Sequence, residues 1–157
     1  MSKKILLAVD NSKNSLNAVK YVAQTINPTS QITMISIIPD PAAACGLEGP
    51  SLMPLFKANV QTFCTIEDAK MAAMEGFMEE AKKTLVKAGF PDKNVVIKIR
   101  KKKAGIARDI LKEVQTGKYD TLVIGRRGLT GIKQFVSGSI SHKIIENARD
   151  ITVTIVS

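Results

Sequence analysis

A chain of 157 residues, 45% hydrophobic and 24% charged, is long enough to bury one core without disulfide or metal staples. It has no apolar run near the ~20 residues that cross a bilayer, and Met1-Ser2-Lys3-Lys4 leads straight into a strand-like core instead of a leader, so one cytoplasmic domain over residues 1–157 is expected. The net charge of +9 invites polyanions, but 4% aromatic residues, no Trp and no DNA-reading or RNA-reading pattern argue against nucleic acid as the main partner.

Taken in order, Ile5 to Val9 is continuously apolar and reads as a strand buried on both faces. Asp10 ends it, Asn11 and Ser12 make a turn, and Leu16, Val19, Val22, Ala23 and Ile26 carry a helical stripe. Ile32 to Ile38 is the second strand. From Pro39 to Cys64 the chain reads as irregular, with Pro39, Pro41, Gly46, Gly49, Pro50 and Pro54, a length typical of a lid or of disorder. Cys45 and Cys64 have neither metal-ligand spacing nor a partner histidine and read as free thiols. Met74, Phe77, Met78, Ala81, Leu85 and Ala88 mark the second helix, and the spacing of Met71, Met74 and Met78 makes them core filler. In the third strand Val95, Ile97 and Ile99 alternate with Val96, Lys98 and Arg100, as on a half-exposed edge; the basic run Arg100 to Lys103 is its solvated end. Ile106, Ile110, Leu111 and Val114 predict a third helix and Thr121 to Ile124 a central strand. Ile140, Ile144, Ile145 and Ala148 predict the last helix and Ile151 to Val156 an outer strand.

Alternating strands and helices predict a doubly wound α/β fold with a five-stranded parallel sheet. Right-handed crossovers, with the first and fourth strands central, give the order 3-2-1-4-5. The order reverses between strands 1 and 4, so a crevice opens beyond their carboxyl ends, and ligands of such sheets bind there. Asp10 and Gly125 both face it.

Gly125-Arg126-Arg127-Gly128, followed after nine residues by Gly138-Ser139, stands between the fourth strand and the last helix. Glycines let a phosphate approach the main chain, and a helix start offers unpaired N–H groups and the positive end of its dipole. Ser139 and Ser141 add hydroxyls on the first turn. No P-loop and no G-x-G-x-x-G is present. The pattern G-x2-G-x9-G-[ST] after a strand resembles the ATP-binding motif of the universal stress protein family, matching at Gly125, Gly128, Gly138 and Ser139. Lys3 to Asp10 and Ile151 to Val156 are similar to that family's first and last strands, so the likeness runs from end to end. The resemblance implies the adenine nucleotide alpha-hydrolase-like fold and a stress-response regulator that binds ATP, or AMP or ADP, with Mg. It also implies that Asp10 contacts the ligand, that Ile37 lies against adenine, and that a homodimer forms through the last strand.

Asp10 itself offers a carboxylate for a ribose hydroxyl or a magnesium ion, or an ordinary turn or cap. Ala8, Val9 and Ile124 are further wall positions. Arg127, with Arg126 beside it, and more weakly Lys133, can reach a terminal phosphate. The chain departs from the family at Arg126, where a small or polar residue is common, and at Gly105, which Lys101 to Lys103 separate from the strand end. No catalytic set assembles: His142 lies between Ser141 and Lys143 as a surface residue, and no triad, paired carboxylates or activated thiol is recognisable. ATP hydrolysis is expected to be slow or absent. The competing readings are a weak ATPase and a scaffold or polyanion-binding module that uses the +9 charge and leaves the glycine loop empty.

Overall fold

The computed structural model describes residues 2–38, 54–126 and 139–157, and in places the backbone alone. Its five strands are β1 (Lys4–Ala8), β2 (Gln31–Ile38), β3 (Val95–Lys101), β4 (Thr121–Gly125) and β5 (Thr152–Val156). They form one parallel sheet in the order β3-β2-β1-β4-β5, as the sequence predicts. The helices are α1 (Lys13–Thr25), α2 (Pro54–Lys87), α3 (Ile106–Gly117) and α4 (Ser139–Asn147), with a short 3-10 turn at Asp92–Asn94.

Successive residues of a strand face opposite sides, and β1 divides its side chains accordingly. Ile5, Leu7 and Val9 join Val19 and Val22 of α1 and Met74, Met78 and Leu85 of α2. Leu6 and Ala8 join Ala107, Ile110 and Val114 of α3 and Ile144 of α4. Central strands thus feed two apolar layers, which is why β1 is apolar from Ile5 onward.

Three expectations are corrected. The irregular stretch read over 39–64 ends early, because α2 starts at Pro54. Proline fits a first helical turn, where its missing N–H would have no partner; residues 39–53 lie outside the described residues. Leu16 does not belong to the buried stripe of α1 and is 38% exposed. Val19 and Val22 of the expected stripe are buried and Ala23 and Ile26 pack against the core, but Ser15, one 100° step from Leu16, and Ala18 turn inward in place of Leu16. On α4, Ser141 and Ile144 are buried, which leaves Ile145 50% exposed for the same reason.

At the opposite end of the sheet from the crevice, Asp120 accepts a hydrogen bond from the backbone N–H of Lys4 at 2.7 Å. The Lys4 ammonium donates to the Gly117 carbonyl at 2.6 Å and lies 4.8 Å from the centre of the Tyr119 ring. These contacts clamp the start of β1 to the α3–β4 connection.

Candidate functional site

β1 and β4 run side by side with Ala8 opposite Ile124, so the two chains leave the sheet together at its carboxyl end. Val9 continues along β2, its N–H donating to the Ile35 carbonyl at 2.9 Å, before the chain turns at Asp10. Ser12 caps α1 by accepting from the Ser15 N–H at 3.2 Å. Ser15 then closes the turn on Asp10 twice. Its hydroxyl donates to Asp10 Oδ1 at 2.7 Å and accepts from the Asp10 backbone N–H at 2.8 Å.

Gly125 lies against this same turn. A Cβ there would come within 2.8 Å of the carbonyl carbon and oxygen of Asn14 and 3.1 Å of its Cβ. The absent side chain therefore admits the first turn of α1, a packing reason that the sequence reading, which assigned Gly125 to a phosphate loop, does not contain. The next residue, Arg126, is exposed, and its N–H extends the ladder to the Val156 carbonyl at 2.7 Å. Ser141, only 4% exposed, aims its hydroxyl back at the carbonyls of Gly125 and Arg126, both at 3.4 Å. These bonds are long, but they tie the first turn of α4 to the end of β4.

Of the residues singled out from sequence, Asp10, Gly125 and Ser141 thus meet around the β1 and β4 ends. Ile37 is half-buried near the end of β2 and packs with the α3 layer. Ala8, Val9 and Ile124 are buried. Ser139 is the first residue of α4, so a helix does start immediately after Gly138. Arg127, Gly128, Lys133 and Gly138 lie outside the described residues. His142 is exposed and 3.0 Å from Glu146 on the same helix, the surface role expected of it.

At the end of β3, Gly105 has φ of +138°, which suits glycine, and caps α3. The Asp109 carboxylate accepts from the backbone N–H groups of Lys103 at 2.7 Å and Ala104 at 3.1 Å, so the donors of this corner are already taken. Burial pushes the Asp109 carboxyl up, but hydrogen bonds from Lys103, Ala104 and Gly105 outweigh it and hold the group below the usual aspartate range.

The sequence reading missed two features. Ser15 is one; its signal is a second serine three residues after the capping Ser12. The other is Glu113, 5% exposed under β3. Lys98 Nζ lies 2.7 Å from its Oε1, the Tyr119 hydroxyl donates to the same oxygen at 3.0 Å, and Arg100 lies 3.2 Å from Oε2. Burial pushes the Glu113 carboxyl up, yet the hydrogen bonds from Lys98 and Tyr119 and the charges of Lys98 and Arg100 prevail, leaving it below the usual glutamate range. Its signal is a carboxylate on the apolar stripe of α3, facing two cations that alternate along the neighbouring strand.

Comparison of the sequence with curated proteins gives no match. Among solved structures, the chain is similar to a universal stress protein of Lactobacillus plantarum at 18% identity and a TM-score of 0.74, over 99% of this chain and 97% of that one. It is also similar to a universal stress protein of Archaeoglobus fulgidus in complex with dAMP, at 13% identity and a TM-score of 0.62, over 100% and 98% of the two chains. A universal stress protein family member of Arabidopsis thaliana with AMP bound matches at 13% identity and a TM-score of 0.61, over 98% and 90%. Identities this low carry the fold alone. The sequence itself, however, matches the universal stress protein family over residues 1–157, and the sheet has the expected order 3-2-1-4-5. The chain belongs to the universal stress protein family.

Proposed function

We propose that this chain is one cytoplasmic domain that binds an adenine nucleotide, ATP or else AMP or ADP, and acts as a stress-response regulator with slow or no hydrolysis. The observation that carries the reading is the meeting of Asp10, Gly125 and the start of α4 at the point where the strand order reverses. Relatives of the same fold in complex with dAMP and AMP support the same ligand class. In this reading Asp10, Ile37, Gly125, Arg127, Gly128, Gly138, Ser139 and Ser141 form the site. Among the described residues no group of three His, Cys, Asp or Glu side chains is arranged to hold a metal. In this reading a magnesium ion comes on the nucleotide phosphates, with Asp10 as its candidate carboxylate.

The test is a mass spectrum of the small molecules released from purified, denatured protein, followed by calorimetric titration with MgATP. Gly138→Val puts a branched side chain where the backbone would approach anionic oxygen, and loss of one or two charge-assisted hydrogen bonds lowers affinity at least about tenfold. Gly131→Ala, outside the motif, should bind as wild type does. Equal affinity of Gly138→Val and wild type removes the reading.

One observation favours a second reading, a scaffold or polyanion-binding module. Nine lysines and arginines lie between Lys93 and Lys118 against only Asp109 and Glu113, and both of these carboxylates are engaged within the fold. The unbalanced positive charge of the β3–α3 unit faces outward. Salt-sensitive retention on heparin by a protein that releases no nucleotide favours this module over the regulator.

The reading includes a homodimer through β5. That strand pairs only with β4 among the described residues, contains no charge or proline, and leaves Ile155 37% exposed. A two-fold antiparallel contact would satisfy both edges at once. Wild type should sediment as a dimer at roughly tens of micromolar, which requires an association of about 6 kcal/mol or more, and Val153→Pro as a monomer. A monomeric wild type rejects the dimer.

A further inference from the structure

We propose that Ser15 is a positioning residue that fixes the carboxylate of Asp10 for the nucleotide, an inference that rests on the reading above. Ser15 is 3% exposed and lies beneath the Asp10 turn. Its hydroxyl spends both its donor and an acceptor on one residue, giving to Asp10 Oδ1 at 2.7 Å and receiving from the Asp10 N–H at 2.8 Å. Two bonds from a fixed point define the direction of the carboxylate as well as the path of the main chain. The fixed point is firm because the Ser15 N–H is held by Ser12 and the Leu16 N–H by the Ser12 carbonyl, at 3.2 and 3.1 Å.

The same turn carries the second reference. Asn14, the residue before Ser15, has its carbonyl group against Gly125, so the end of β4 is registered on the turn that orients Asp10. A ligand reaching from Asp10 to the end of β4 would then meet these two points already aligned, and would have less of the aspartate side chain to order on binding. Without the serine, the carboxylate would lose the 2.7 Å bond to its Oδ1 and part of the ordering cost would fall on the ligand.

The experiment is a double-substitution cycle read by MgATP titration, with thermal melting of each variant. Ser15→Ala should weaken binding about three- to tenfold, the cost of ordering one side chain, and Asp10→Ala should weaken it at least as much. Ser15→Ala added to Asp10→Ala should change nothing further, because the serine acts through that carboxylate. Ser15→Thr, which keeps the hydroxyl, should restore most of the affinity. If Ser15→Ala fails to fold, Ser15→Cys keeps the volume, weakens both bonds and should fall between alanine and wild type. An equal loss from Ser15→Ala in both backgrounds overturns the proposal, since the serine then serves only the helix. Asp10→Ala binding as wild type also overturns it while leaving the nucleotide reading intact. A wild type that binds no MgATP overturns both.

Discussion

Gly125→Val is expected to lower stability by about 3 kcal/mol, the upper range for overpacking a filled interior, and to reduce nucleotide affinity more than tenfold. The added Cβ would stand 2.8 Å from two backbone atoms of Asn14, in the first turn of α1. A flexible side chain could swing away; a capped helical turn cannot. Strain is relieved only by separating α1 from β4, and that separation pulls the Asp10–Ser15 pair away from the end of β4. The neighbouring contacts move with it, because Gly125 pairs with Val156 and its carbonyl faces the Ser141 hydroxyl. Urea unfolding gives the stability change, and calorimetry on the folded fraction gives the affinity. Gly76→Ala is the control: among the described residues, and apart from the backbone of its own helical turn, no atom lies within 4 Å of the point where a Cβ would stand on α2, so a gain of about 0.5 to 1 kcal/mol in helix propensity is expected there. A Gly125→Val protein as stable as wild type would show that the α1–β4 contact is not tight.

Glu113→Ala is expected to cost about 2 to 3 kcal/mol, below the full penalty for breaking a buried pair because two of its three partners reach solvent. The Lys98 and Arg100 side chains are 33% and 56% exposed and can hydrate once released. Tyr119 is 6% exposed and donates its hydroxyl to Glu113, so it loses a buried hydrogen bond, and the α3 stripe gains a cavity. By contrast, Glu80→Ala, which removes a 2.8 Å ion pair with Lys83 on the exposed side of α2, should leave the unfolding midpoint unchanged.

The Glu113 carboxyl is held below its ordinary value in the folded protein, so its contribution is present above about pH 4.3, the unfolded value for glutamate, and is lost as pH falls through the lower folded value. Wild type should therefore lose stability below that point more steeply than Glu113→Ala. Lys98 is raised, chiefly by its hydrogen bond to Glu113, so its share is full below the ordinary lysine value and fades only as pH rises through the folded one. Parallel acid-unfolding curves for the two proteins would detach Glu113 from acid stability.

Period and composition were enough to determine the architecture from the sequence. A strand apolar at every position, as in Ile5 to Val9, has to be covered on both faces, whereas Val96, Lys98 and Arg100 alternating with apolar neighbours have to lie at an edge. These local facts order the sheet, and the order sets the crevice. The placement of Asp10 and Gly125 was legible for the same reason: both follow apolar strand cores, and the structure puts both at the carboxyl ends of the central strands.

What period cannot supply is the rotation of each helix about its axis and the identity of a buried polar partner. Leu16 and Ser15 are adjacent in sequence, and only contact with Asp10 decided that the serine faces inward and the leucine outward. Glu113 sits on the apolar stripe of α3, but its helix alone offers it no partner; it is buried because Lys98, Arg100 and Tyr119, from outside that helix, bring compensating charge and a hydrogen bond to it. Gly125 announced a loop, yet its missing side chain is accounted for by Asn14, 111 residues away along the chain and in contact across the sheet end. The sequence alone determined the layers, the strand order and the position of the crevice, since these follow from which residues avoid water. The tertiary structure alone decided which polar groups turn inward, since a hydroxyl or carboxylate is buried only where a partner from elsewhere in the chain offsets its lost hydration.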